Sequence, residues 1–176
     1  MAIDQAKPFT PINIALLTVS DTRTCDNDTS GDILAERIAG AGHHLAARTI
    51  VKDNADLLME QFNTWIEAAD VDAIVSTGGT GLTGRDVTPE ALSRIEDGRD
   101  IPGFGELFRW LSFKTIGTST VQSRACAIVA RGTYIFALPG SNGAVKDGWD
   151  GILAEQLDSR NRPCNFVELM PRLRER

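Results

Sequence analysis

The run Ser76-Thr77-Gly78-Gly79-Thr80-Gly81-Leu82-Thr83-Gly84-Arg85-Asp86-Val87-Thr88-Pro89 constrains this chain more than any other segment. It follows Val71-Asp72-Ala73-Ile74-Val75, which reads as a buried strand. It precedes Pro89-Glu90-Ala91-Leu92, which reads as the first turn of a helix. A strand that ends in glycines and hydroxyls and then opens a helix is where α/β proteins hold anionic ligands. Without Cβ atoms the main chain lies open, and its N–H groups can face oxygen anions. Asp86 sets a carboxylate beside that nest. A carboxylate next to a phosphate repels it unless a cation lies between them. The segment therefore points to a phosphorylated ligand held with Mg²⁺.

The rest of the chain supplies the alternation an α/β sheet needs. Ile12 to Val19 is apolar on both faces, as in a central parallel strand. Ser30 is placed to cap a helix with Leu34 and Ile38 on one face. Leu45 to Val51 alternates and reads as a strand nearer the edge. Asn54 can cap a helix whose inner face is Leu58, Phe62, Ile66 and Ala69. Thr88 to Ile95 forms a short helix, and Phe104, Leu107, Phe108 and Leu111 mark the stripe of another. Ala125 to Ala130 and Tyr134 to Leu138 are strands joined by the hairpin signal Arg131-Gly132-Thr133. Pro139-Gly140-Ser141 opens a long helix with Val145, Trp149, Ile152 and Leu153 inward. This order predicts an α/β sandwich with a mostly parallel sheet, mixed because of the late hairpin. Residues 1–11 read as a flexible arm, and 12–176 as a single domain.

Composition excludes several classes. Of 176 residues, 42% are hydrophobic, enough for one well-filled core, and the net charge is −6. An acidic chain without clustered Lys and Arg does not read as a nucleic-acid binder. Met1 to Pro11 has no apolar core to serve as a signal peptide. No stretch approaches the ~20 apolar residues a membrane crossing needs. Cys25, Cys126 and Cys164 match neither metal-ligand spacing nor a disulfide framework. The expected location is cytoplasmic.

Chemistry should gather beyond the carboxyl ends of the strands. Asp21 to Ser30, Lys52-Asp53-Asn54, Thr77 to Asp86 and Pro139 to Asn142 each follow a strand. Asp53 and Asp86 would then share one mouth, a pair that suits a hard divalent cation. Asp53 reads equally well as part of a turn and helix cap. Ser141 and Asn142 open a helix, where capping alone accounts for Ser141. Arg124, behind Thr118-Ser119-Thr120 and Ser123, could grip a phosphate or pair with a carboxylate. Trp65, Trp110 and Trp149 read as core or subunit contacts. His43 and His44 would point to opposite faces of a strand. No P-loop, no dinucleotide fingerprint after the first strand and no nucleophile elbow is present.

These residues together resemble the MoaB/MogA family of molybdenum-cofactor biosynthesis proteins, whose domain also occurs in gephyrin. The resemblance rests on Ser20-Asp21, Asp28-Thr29-Ser30-Gly31, Thr77 to Gly81, Asp86 to Glu90, Pro102 to Glu106, Ser123-Arg124 and Leu138 to Ser141. Leu111 to Phe113, Ile116 to Thr120 and Arg162 to Phe166 resemble the MoaB branch most closely. The resemblance implies a three-layer α/β/α fold and a homo-oligomer, trimer or hexamer. It implies Mg²⁺-dependent adenylylation of molybdopterin, with ATP as co-substrate and pyrophosphate released. Asp53 and Asp86 fall on the family's two important aspartates, as catalytic and metal-binding residues. Thr77, Gly78, Gly79, Thr80, Gly81, Ser119, Ser123, Arg124, Pro139, Gly140, Ser141 and Asn142 would bind substrate and phosphate. The molybdate-insertion enzyme is a candidate partner. A carrier or scaffold that holds molybdopterin without making its adenylylated form is the other reading.

Overall fold

The computed structural model describes residues 3–175. Six strands form one sheet: β1 (Asn13–Val19), β2 (His44–Val51), β3 (Ala73–Thr77), β4 (Arg99–Asp100), β5 (Cys126–Ala130) and β6 (Thr133–Leu138), in spatial order β2-β1-β3-β6-β5-β4. β2, β1, β3 and β6 are mutually parallel, and β5 is antiparallel to both its neighbours. The mixed sheet expected from the late hairpin is present. Arg131 and Gly132, its two turn residues, both have positive φ, as a tight hairpin turn demands. β2 lies at the edge, in line with its alternating sequence.

Strand residues sort by parity into two cores. Ile14, Leu16, Val75, Phe136 and Leu138 face one side, with α1 (Thr29–Gly40), α4 (Pro102–Ile116) and α5 (Asn142–Gly148). Ala15, Leu17, Val19, Ile74, Ile135 and Ala137 face the other, with α2 (Ala55–Glu67) and α3 (Thr88–Ser93). Two buried faces are why these strands are apolar throughout. The result is the expected three-layer α/β/α sandwich. Val145, Trp149, Ile152 and Leu153 all point inward, but their helix is interrupted by a π-helical turn at Trp149–Leu153 before α6 (Ala154–Gln156). A short α7 (Phe166–Leu169) follows. Among the described residues no helix is long and apolar enough to cross a membrane.

Several expectations need correction. β4 has no apolar alternation to announce it; two exposed polar residues become a strand only by pairing with Val129 and Ile128. Ser30 lies inside α1. Asp28 is the cap, and its Oδ1 accepts from the Gly31 amide at 3.0 Å. Ala69 falls beyond α2 and is exposed, as is Leu107 on α4. Trp110 is 58% exposed, with Lys114 Nζ 3.6 Å from its ring centroid. Met1 and Ala2 of the expected arm lie outside the described residues. From Ile3 the arm lies against the C-terminal segment. Ile3 bridges Asn161, Asp4 pairs with Arg162, and Thr10 N donates to Ser159 Oγ at 2.8 Å.

Asp28 is the fold's most buried carboxylate. Thr18 Oγ1 donates to it at 2.7 Å and Arg48 Nη2 at 2.9 Å. Burial alone would raise its pKa, but the bonds from Arg48, Thr18 and Gly31 outweigh burial and hold it below the ordinary value. A depressed carboxylate contributes stability above its unfolded pKa, and that contribution fades as pH falls through the folded one. Asp28→Ala should cost about 2 kcal/mol at neutral pH, because Thr18 Oγ1, the Gly31 amide and Arg48 Nη2 lose their acceptor while Arg48 Nη1 keeps its pair with Asp32. The loss should shrink below about pH 4. Urea unfolding at the two pH values checks both.

Candidate active site

Sheet register brings the loops together. Thr18 lies opposite Thr77, Thr77 opposite Leu138, and Val19 opposite Val51. Four strands therefore end level, and the chain reverses sheet direction between β1 and β3, the topological switch point where such sheets bind ligands. The glycine loop leaves β3 tightly. Gly78 and Gly79 have φ of 106° and 65°. A Cβ on Gly78 would run into the Val19 carbonyl, and one on Gly79 would stand 2.5 Å from Asp53 Oδ1. Thr88 fixes the loop from α3. Its amide donates to Gly79 O at 3.0 Å, and its Oγ1 to Gly78 O at 3.0 Å.

Asp53 and Asp86 lie along this loop. Asp53 Oδ1 is buried and accepts no hydrogen bond from any described residue. Burial raises its pKa, the Val87 amide opposes that, and the charges of Asp86 and Asp21 raise it further. Asp86 is differently held. It does not cap α3, whose cap position is Val87. Its Oδ2 accepts from Thr83 Oγ1 at 2.6 Å and Thr83 N at 2.9 Å. Those bonds hold its pKa below the usual value. Asp21 pairs with Arg85, bringing a third carboxylate to the same quarter.

On the other flank, α4, α5 and the 3₁₀ turn Gly117–Gln122 enclose a cleft of about 390 Å³. Thr80, Gly81, Ser119, Ser123, Pro139 and Ser141, all singled out by sequence, line it. So do Phe108, Ser112, Thr115 and Asp147, which were not. The signal for Ser112 and Thr115 was a pair of hydroxyls three apart within the apolar α4 pattern.

The remaining candidates have structural work. The Gly78 amide donates to Leu138 O at 2.9 Å, so it does not join a phosphate cradle here. Gly79 is buried beneath it. Thr77 Oγ1 donates to Pro139 O at 3.2 Å. Gly140 packs on Gly78, where its own Cβ would be 3.3 Å from the Gly78 Cα. Ser141 Oγ caps α5 by accepting from Ala144 N at 3.2 Å. Asn142 Oδ1 accepts from Thr29 Oγ1 at 3.0 Å. Arg124 takes the carboxylate option. It pairs with Glu90, and its Nε and Nη2 donate to Gly81 O at 2.7 Å and Asp86 O at 2.6 Å. It staples the glycine loop to α3.

His43 and His44 do face apart. His43 is buried, with Nδ1 accepting from Ile12 N at 3.3 Å, and His44 is exposed. Cys126 is half-buried, its thiol pushed up to about 11 chiefly by burial.

A family model described as "Probable molybdopterin binding domain" matches residues 15–159. The chain belongs to this family. Molybdenum cofactor biosynthesis protein B of Escherichia coli strain K12 is 52% identical over 158 residues, covering 90% of this chain and 92% of that protein. The protein of the same name from Bacillus subtilis strain 168 is 39% identical over 160 residues, covering 89% and 94%. A crystal structure of a molybdenum cofactor biosynthesis protein B superposes with a TM-score of 0.86 at 34% identity, covering 97% of this chain and all of the other. The tungsten cofactor synthesizing protein MoaB from Pyrococcus furiosus gives 0.76 at 32%, covering 94% and 98%. The chain is thus a member of the MoaB/MogA family of molybdenum cofactor biosynthesis proteins.

The two aspartates predict opposite stability effects. Asp53, raised, costs stability when ionised, and this cost grows as pH rises from its unfolded pKa through its folded one. Asp53→Asn should raise the thermal midpoint of the unliganded protein at pH 7 by roughly 1–3 °C, with no gain below about pH 4. Asp86→Asn should lower that midpoint, because weakened Thr83 bonds cost about 1 kcal/mol of stability. Calorimetry at the two pH values checks each sign.

Proposed function

We propose that this chain adenylylates molybdopterin, consuming ATP and releasing pyrophosphate. One observation carries the reading. A loop with paired carboxylates on one flank has a ligand-sized, largely apolar cleft on the other. Thr80 and Gly81 belong to both.

Mg²⁺ fits the carboxylate flank. Asp53 Oδ1 is an orphaned oxygen, Asp86 and Asp21 add negative charge, and Gly79 leaves room beside Asp53. Among the described residues no three His, Cys, Asp or Glu form a ready cage. Mg²⁺ characteristically uses one or two carboxylates and completes its shell with water and substrate phosphates. Asp53 and Asp86 would hold it, and it would supply charge neutralisation for phosphates brought together there.

In the proposed reaction a phosphate oxygen of molybdopterin attacks the α-phosphorus of ATP, and the bond to pyrophosphate breaks. No covalent enzyme intermediate is needed, so the protein acts by positioning and electrostatics. Asp86 is pre-set by Thr83 and so keeps its charge at neutral pH. Arg124 and Thr88 keep the glycine loop in shape. Ser119, Ser123 and Ser141 offer hydroxyls to the pterin side. The exposed side chains of Leu107, Trp110 and Phe113 on α4 support a homo-oligomer.

The carrier reading draws support from Gly78 and Arg124, whose polar groups are already engaged within the protein. Pyrophosphate release from molybdopterin, ATP and Mg²⁺ separates the two. Asp86→Ala should lower turnover about 100-fold or more while leaving pterin affinity nearly unchanged. Equal turnover in mutant and parent would refute the role of Asp86. Tight pterin binding by the parent without pyrophosphate would establish the carrier.

A further inference from the structure

The cleft between α4 and α5 contains a single charge. Phe108, Ile116 and Ala144 give it apolar walls, Ser112 and Thr115 add hydroxyls, and Asp147 is the one ionisable side chain among the described residues lining it. Asp147 is loosely held. Its Oδ2 accepts from Ser112 Oγ and Thr115 Oγ1, each at 3.4 Å. Its Oδ1 accepts no hydrogen bond from any described residue. Asp150, three residues on, is clamped by Arg37 through two bonds of 2.8 Å. Among the described residues Asp147 has no such ion pair.

A carboxylate facing a largely apolar cleft repels phosphate and accepts N–H donors. Its two oxygens, side by side, match a heterocycle edge that presents two adjacent N–H groups. The pyrimidine ring of a pterin has that edge: the ring N3–H next to the exocyclic 2-amino group. We infer that Asp147 is the specificity-determining residue of this cleft, accepting both donors of a 2-amino-4-oxo pteridine. The inference rests on the pterin reading above and deepens it. Phe108 and Ile116 would flank the ring, and repulsion from Asp147 would turn the phosphate-bearing tail away from it. A pteridine with a carbonyl at position 2 offers an acceptor where Asp147 also accepts, and that clash is the source of discrimination.

The test is binding of 6-hydroxymethylpterin and of 6-hydroxymethyllumazine, its 2-oxo counterpart, to the full chain, followed by calorimetry or ligand-observed NMR. The parent should prefer the pterin by at least about tenfold. Asp147→Asn presents one acceptor and one donor, which suits the lumazine edge, and should level or reverse that preference. Asp147→Glu keeps the charge and both acceptors. It should bind more weakly yet still prefer the pterin. An unchanged preference in Asp147→Asn, or a preference lost in Asp147→Glu, would overturn the assignment while leaving a pterin cleft in place. Failure of the parent to bind either pteridine would overturn the cleft's pterin reading itself, and the role of Asp147 with it.

Discussion

The close passage of the β3 exit over the ends of β1 and β6 governs everything at the mouth of this sheet. Gly78 turns against the Val19 carbonyl, and Gly140 lies on Gly78. A side chain at Gly78 would push the loop away from both strands. The distance between the carboxylate flank and the cleft is thus set by main-chain packing. The Gly78 amide is spent on Leu138 to hold that packing.

Charge is arranged around this loop with a clear division. Arg124 and Glu90 neutralise each other while bracing the loop carbonyls. Asp86 is satisfied by Thr83, whereas Asp53 Oδ1 has no partner among the described residues. An unsatisfied buried carboxylate oxygen is costly in the empty protein. A cation held there, as proposed for Mg²⁺, would offset that cost.

How much of this was legible in the sequence can be seen residue by residue. The apolar runs of β1, β3 and β6 announced a doubly covered sheet, because burial on both faces leaves no polar alternation. The Arg131-Gly132 turn announced the antiparallel pair. Asn54 was a readable cap because its local geometry needs nothing beyond Asp56 and Leu57. Asp28 displaced Ser30 as cap of α1 because Arg48, twenty residues away, makes the buried carboxylate tolerable. β4 escaped notice because two polar residues carry no periodicity. The cleft was half legible. Its loop residues stood out by type, whereas Phe108, Ser112, Thr115 and Asp147 looked like ordinary helix positions until two helices faced each other.

The amino-acid sequence alone determined the alternation of strands and helices and the glycine loop, and it offered Asp53 and Asp86 as site candidates. Those depend on short-range pattern and on residue types that few other roles require. Tertiary structure alone decided which groups are free. Arg124 and Ser141 carry the same donors and acceptors wherever they sit, and only folding showed that loop carbonyls and a helix end engage them, while Asp53 Oδ1 and Asp147 Oδ1 go without a partner among the described residues. Hydrogen-bond satisfaction is a property of neighbours distant in sequence, and no local pattern encodes it.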